Sequence, residues 1–393
     1  MIHKRLMGCC LIAGLIACSQ NGDVSVSIVK HAKDNEYHIH LKEIKDSVSI
    51  KLSDIISDFE ILPLETNDEC LLSRGMYYIS KEYILVQKYK HGILQFDRKG
   101  KFIRTLVQQG QGPTEYSRAS WTIDEEKQIL YLSDYSKENY FLQFDLHSGT
   151  YLGDLMKAIP VRNDYIELSD QGELIVVPVG RFVNYCESYY LYWQDTEGKL
   201  LAGIAAPDDL FLRHAFFSGF GSLGRYQKVD DDTIYTVHNQ ELIPFVTMDF
   251  GVDVPDSKDQ EGYQWIGLEY ETPSWLAFSS RIISKIEVNG NSSFTSTNMS
   301  LHALDKKNGK AYHRKDLFLC PTHHSLNNYQ DQYAEFQQNG IFYYAYQAID
   351  LIEQAEIALA DLDFAEPYRS KLEEVLKTIS ENDNPYLLIG QIK

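Results

Sequence analysis

The chain has 393 residues, of which 37 are basic and 56 acidic, giving a formal net charge of −19. Such a charge repels polyanions, which argues against nucleic acid as a partner and favours solubility. The 27 Tyr and 18 Phe point to a strand-rich protein, because aromatic side chains suit a pleated, half-buried surface.

Lys4 and Arg5 precede an unbroken apolar run from Leu6 to Ala17, the layout of a secretory signal peptide. The run is too short for a stable membrane span, which needs about 20 apolar residues, and no later segment approaches that length. It ends in Leu15-Ile16-Ala17-Cys18, which resembles the lipobox of bacterial lipoproteins and implies cleavage before Cys18 with lipid attached to that cysteine. The membrane is then a partner only through the lipid on Cys18. Removing residues 1–17 leaves 35 basic against 56 acidic residues. Ser19 directly after the anchor favours the outer membrane, on a face that sequence leaves undetermined. The expected organisation is a signal peptide over 1–17, a tether over 18–47 with short strands such as one at Tyr37 to Leu41, and a compact domain over 48–393.

Beyond Cys18 only Cys70, Cys186 and Cys320 remain, widely spaced and without a C-x-x-C pair. Three buried free thiols, or one pair with a free thiol, fit this set.

From Tyr83 the chain repeats a theme: strand, turn, strand ending near aspartate, turn with glycine, strand. Tyr83 to Val86, Ile93 to Asp97, Arg98-Lys99-Gly100 and Phe102 to Leu106 form one copy. Ile129 to Asp134, Phe141 to Asp145, His147-Ser148-Gly149 and Tyr151 to Leu155 form the next. Further copies follow at Glu173 to Gly203, Thr233 to Phe250, Arg281 to His313 and Gly340 to Ala345, making six. Hairpins at this density, recurring at long period without intervening helices, predict an all-β, six-bladed β-propeller, with a large β-sandwich as the structural alternative.

A helical insertion is expected in the last blade, over about 347–381. Ile349, Ile352, Ala355 and Leu359 are spaced as one helical face, and Pro367 starts a second helix carrying Tyr368, Leu372, Val375 and Ile379. Strand returns at Tyr386 to Ile392. Unpaired sheet edges invite aggregation, so the early strand at Glu60 to Leu64 is expected to close the ring against that terminal strand.

Gly100-Lys101-Phe102-Ile103-Arg104 followed by Gln109-Gly110-Gln111-Gly112-Pro113-Thr114-Glu115-Tyr116 resembles the six-bladed β-propeller lipoproteins of Gram-negative bacteria, relatives of the NHL and TolB-like propellers. Thr114 stands where that family more often has glycine. The resemblance covers about residues 48 to 393 and implies the propeller fold, with no assigned reaction.

Gln111, Glu115 and Tyr116 on this glycine-rich loop are candidate ligand-binding residues, although the loop can equally serve as a connection between blades. Arg213 and His214, before the fourth unit, are further candidates. No catalytic signature is present: Ser222 does not have glycine at both offsets that a nucleophile elbow requires, and neither a Walker A motif nor H-E-x-x-H occurs. His323-His324 lack chelating geometry on a strand. No metal or cofactor is therefore expected. The expected function is a lipid-anchored envelope binding or interaction module for a glycan, a peptide or an envelope protein. The alternative is an envelope enzyme, a lyase, lactonase or glycan hydrolase, with its site at the channel mouth.

Overall fold

The computed structural model describes residues 30–31, 36–50, 52–72, 75–88, 90–178, 189–205, 225–227, 232–251, 262–288, 291–296, 299–317, 335–336, 340–360 and 366–393. They form six sheets arranged as the blades of a propeller. Blade 1 runs Gly75–Ile79, Tyr83–Lys88, Gly92–Asp97 and Phe102–Gln108. Blade 2 follows with Ala119–Asp124, Ile129–Asp134, Tyr140–Asp145 and Tyr151–Met156, and blade 3 with Asp164–Leu168, Leu174–Pro178, Tyr189–Gln194 and Leu200–Ala205. All three are simple antiparallel meanders.

Blades 4 to 6 each take a strand from the N-terminal segment. Arg225–Gln227, Thr233–His238 and Glu241–Asp249 make blade 4, and Glu36–His40 adds to it in parallel. Gly262–Glu271, Trp275–Val288, Ser300–Asp305 and Lys310–Leu317 make blade 5, which Ser47–Ile50 extends in parallel. Blade 6 consists of Glu335–Phe336, Ile341–Tyr346, Tyr386–Ile392 and, outermost, Ile56–Pro63. Lys30–His31 pairs in turn with Glu36–Tyr37, so the described strands of the body reach back past residue 48, where the polar composition suggests that it begins. Tyr37 and Ile39 explain the difference, since they are buried on one face of their short strand against Phe245, Val246 and Met248. The cysteine of the described residues, Cys70, is buried and free, while Cys18, Cys186 and Cys320 lie outside the described residues.

The repeated turns have a common cause. Asp97, Asp195 and Asp305 each turn a carboxylate back onto backbone amides two or four residues ahead, at 2.8–2.9 Å, and a glycine in the left-handed region then completes each turn. Gly100, at φ +79°, also lies so close to the end of the closing strand that a Cβ would stand 2.0 Å from the Pro63 carbonyl oxygen. Its own carbonyl accepts from the Glu65 amide at 2.8 Å.

The core is divided among the blade interfaces. Leu85, Ile93, Ile123 and Leu142 pack between blades 1 and 2, and Tyr131, Phe141, Ile166 and Val176 between 2 and 3. Trp193 of blade 3 meets Tyr226 of blade 4, and Val246 and Met248 meet Leu276 and Phe278 of blade 5. Tyr270 and Ala277 join Phe342 and Leu388. Tyr343, Leu387 and Ile389 of blade 6 then pack on Ile79, Ile84 and Val86 of blade 1, completing the ring.

Ile56–Pro63 pairs with Tyr386–Ile392 from Pro63↔Tyr386 to Ile56↔Ile392, so the closing strand lies where the sequence places it. The helices Ala348–Ala360 and Tyr368–Leu376 dock on this outer strand: Phe59 and Tyr368 stack at 4.9 Å, and Ala355, Ala358 and Leu372 cluster against Ile61. The buried helical face is Ala348, Leu351, Ala355 and Ala358, rather than the bulkier stripe beginning at Ile349, which is 54% exposed. Alanines on the contact face let the two helices approach closely, which the hydrophobic spacing alone does not reveal.

Deleting residues 384–393 removes the strand next to the closing strand together with buried Tyr386, Leu387, Leu388 and Ile389. At about 1.5–3 kcal/mol for each buried side chain, the loss is comparable with the roughly 5–15 kcal/mol that stabilises a whole domain. The truncated chain is expected to lack a cooperative thermal transition, and an unchanged melting temperature would refute closure. A second test concerns His302 in blade 5, which is buried, stacked 5.0 Å from Phe278 and hydrogen-bonded to Ser280 at 2.8 Å. Burial, then His313 and Arg314, holds it down at about 3 from the ordinary 6.5. Below pH 6.5 the unfolded chain takes up a proton that the folded chain refuses, so stability falls on acidification at about 1.4 kcal/mol per pH unit from this group. Denaturant titrations of His302→Gln from pH 7 to pH 4 should show a shallower loss than wild type.

Candidate functional site

The strands at the inner edges of blades 1, 2 and 3 are Gly75–Ile79, Ala119–Asp124 and Asp164–Leu168. Each ends in a short polar cap. Ser80 Oγ accepts from the amides of Glu82 and Tyr83, Asp124 Oδ1 from those of Glu126 and Lys127, and Ser169 Oγ from those of Gln171 and Glu173. The caps fix where each strand stops and therefore which side chains reach the channel. At its other end, the blade 3 strand is held by a fully buried ion pair, Lys157 Nζ to Asp164 Oδ2 at 2.9 Å. Lys157 also donates to Ser133 Oγ and the Val161 carbonyl, both at 2.8 Å. With its hydrogen bonds satisfied, this pair locks the strand in place, whereas removing one partner would leave an uncompensated buried charge.

Together these strands line an open cavity of about 1380 Å³. Tyr78 and Trp121 face one another across blades 1 and 2, with ring centroids 6.0 Å apart at 56°. Trp121 Nε1 donates to Gln87 Oε1 at 2.9 Å, and Tyr78 Oη donates to Glu125 Oε1 at 3.5 Å. Near the opposite mouth, the Arg118 guanidinium lies 5.9 Å over the Tyr135 ring, and Tyr165 also lines the wall.

Burial dominates the electrostatics here. It raises Tyr78 well above the usual phenol range, helped by Glu125 and Glu167. It pushes Tyr135 up to about 12, with Tyr165 and Asp164 adding to the effect and Arg118 opposing it. These hydroxyls remain protonated donors at physiological pH. Glu167 behaves differently: burial alone pushes its carboxyl up to about 7. Among the described residues no hydrogen bond or ion pair satisfies it, and no group of three or more His, Cys, Asp or Glu residues could hold a metal ion. A small hollow beside Glu167 reaches the His238–Gln240 turn of blade 4, where Gln240 Nε2 donates to Glu173 Oε1 at 2.8 Å.

The residues singled out from sequence lie largely to one side. Gln111 is exposed on its loop and does not line the cavity. Glu115 turns its carboxylate into its own loop, accepting from the Gly112 amide at 2.8 Å. A Cβ on Gly110 would stand 2.0 Å from that carboxylate, so the glycines of the motif make room for an internal contact. Tyr116 reaches the cavity wall, yet its ring is buried in the core between blades 1 and 2, where burial pushes its phenol up to about 12. The loop therefore joins two blades and contributes to the site mainly through Gln109 and Tyr116. Arg213, His214 and His323-His324 lie outside the described residues.

Sequence reasoning missed Tyr78, Trp121, Glu125 and Glu167. The signal lay in the caps: Ser80, Asp124, Ser169 and Thr272 recur where the inner strand ends, and Thr272 Oγ1 likewise accepts from the amides of Ser274 and Trp275. Reading two positions back from Ser80 and Ser169 reaches Tyr78 and Glu167.

The carboxyl of Glu167 stays protonated up to about pH 7 in the folded chain, against an ordinary value of 4.5. Its ionised form therefore costs stability above pH 7 and nothing below pH 4.5. Glu167→Gln should raise unfolding free energy by on the order of 2–3 kcal/mol at pH 8 and leave it unchanged at pH 4. Equal effects at both pH values in denaturant titrations would contradict this environment.

The family described as a domain of unknown function, DUF4934, matches residues 36–391. No curated protein is similar in sequence. The crystal structure of a protein of Bacteroides fragilis NCTC 9343, thought to be exported, is similar with a TM-score of 0.56 at 17% identity, over 91% of this chain and 99% of that one. A member of the DUF4221 family from Bacteroides vulgatus ATCC 8482 gives a TM-score of 0.41 at 10% identity, over 86% and 97% of the two chains. The first likeness is one of fold.

Proposed function

The chain belongs to the DUF4934 family, and we propose that it is a cell-envelope binding module, a lipid-anchored propeller that holds its ligand in the channel beside blades 1 to 3. The observation that carries this reading is the open cavity of about 1380 Å³ with Tyr78, Trp121, Tyr135 and Tyr165 on its wall. Aromatic faces with a few directed polar groups are the usual composition of ligand sites, and a rigid blade scaffold positions them without an ordering cost on binding. A glycan or a peptide suits a channel of this size.

The anchor rests on the sequence: Lys4 and Arg5, the apolar run to Ala17, and Cys18 at its end. Export is consistent with the Bacteroides fragilis neighbour, and among the described residues no helix is long and apolar enough to cross a membrane. Ser19 directs the reading to the outer membrane.

Glu167 favours one second reading. A carboxyl pushed up to about 7 is matched to proton transfer at neutral pH, as an envelope enzyme at this channel would require.

Residues 19–393, prepared without lipid, should be screened against neutral and charged glycans and short peptides for melting-temperature shift and for product. The binding module predicts a shift of a few degrees without turnover, and loss of that shift in Trp121→Ala relative to its own baseline. Turnover abolished by Glu167→Gln would replace the binding reading with the enzymatic one. In the full-length chain, Cys18→Ala should prevent lipid labelling and membrane fractionation.

A further inference from the structure

We propose that Glu167, with Tyr78 on the wall of the same cavity, is a subsite for a primary ammonium group, so that the ligand of this propeller carries an amine. The inference rests on the channel-binding reading above and names the chemistry it recognises.

Three observations converge on Glu167. It lines both the main cavity and the small hollow next to it, so a ligand in the channel can reach it. No cation among the described residues pairs with it, and the nearby Lys127 is engaged by Asp124 at 3.2 Å. Tyr78 lies within electrostatic reach of both Glu167 and Glu125, and its ring faces Trp121. An aromatic wall next to the Glu167 carboxyl, with Glu125 nearby, attracts an ammonium group through the ring faces and through charge.

The remaining charged groups support the same sign. Glu125 approaches from blade 2, while Asp170 and Glu173 lie on the turn that follows the Glu167 strand. His238 faces the hollow from blade 4, and Lys81 is exposed at the mouth. Asp124 and Glu126 of blade 2 and the bases Lys88, Arg118 and Lys127 also line the cavity, and Lys127 is engaged by Asp124 while Lys88 donates to the Leu71 carbonyl. An ammonium ligand supplies the counter-charge that no described residue provides, which lets the carboxyl ionise and release its proton.

The experiment uses residues 19–393 and titration calorimetry in two buffers of different ionisation enthalpy. The probes are Gly-Lys-Gly amide, its Nε-acetylated form, a glucosamine trimer and the N-acetylglucosamine trimer. The lysyl probe stays charged throughout the range, since its amine titrates near about 10.4. Its affinity is expected to rise about tenfold from pH 6 to pH 8, with proton release at pH 6. Glu167→Gln should weaken binding at pH 8 at least tenfold and abolish the proton release, while keeping a cooperative melt. His238→Gln should retain both properties. A glucosamine trimer bound more tightly at pH 6 than the lysyl probe would assign the amine to a sugar, and the reverse order would assign it to a peptide.

Acetylated probes binding as tightly as their amines, an unchanged affinity in Glu167→Gln, or no binding by either amine would overturn the subsite. Binding of acetylated probes that Trp121→Ala abolishes would do so while leaving the channel reading intact. Binding that Trp121→Ala leaves unaffected would remove the channel reading itself.

Discussion

Everything in this fold depends on one strand pairing, Ile56–Pro63 against Tyr386–Ile392. A ring of blades has no independent stability in its last member, because each blade buries one face against each neighbour. The pairing brings an early strand and the last strand into one sheet, and that sheet carries Tyr343, Leu387 and Ile389 onto blade 1. Without it, two sheet edges and one inter-blade core would face water. The helices on Ile61 and Phe59 and the turn of Gly100 against Pro63 all add to the same strand.

The N-terminal segment extends this arrangement around the rim. Glu36–His40, Ser47–Ile50 and Ile56–Pro63 serve blades 4, 5 and 6 in order. Among the described residues blades 1 to 3 receive no such strand and are built as local hairpins, yet they carry the described part of the channel site. Their rigidity comes from within, through the buried Lys157–Asp164 pair and through side-chain bridges such as Gln95 Nε2 to the Leu146 carbonyl at 2.7 Å. That rigidity holds Glu167 in place on the half-buried wall of the cavity.

The parts of this architecture legible in sequence are those with a strong local signal. The middle strands of each blade are buried on both faces and read as apolar runs such as Ile84-Leu85-Val86 and Leu130-Tyr131-Leu132. Their aspartate-glycine turns are set by side-chain contacts within five residues. Inner strands such as Ala119–Asp124 mix Ser, Trp, Thr and Asp, because one edge faces the channel, and their alternation is correspondingly weak. Glu36–His40 joins its sheet by parallel pairing with residues some two hundred positions away, a partnership that no local pattern encodes. The glycine-rich loop at Gln109 to Tyr116 was the most conspicuous motif, yet its glycines accommodate Glu115. Glu167 has no motif, since its character comes from the walls that surround it.

Native-state hydrogen exchange resolved at single amides distinguishes a closed ring from an open one with a frayed end. Closure predicts that the amides pairing Phe59, Glu60 and Ile61 with Leu388, Ile389 and Gly390 exchange only through global unfolding, at the same free energy as the middle strand of blade 2. Exchange of the Ile56–Pro63 amides through a local opening several kcal/mol below the global value would contradict it, and would make the outer strand an appendage of a ring held together by other means.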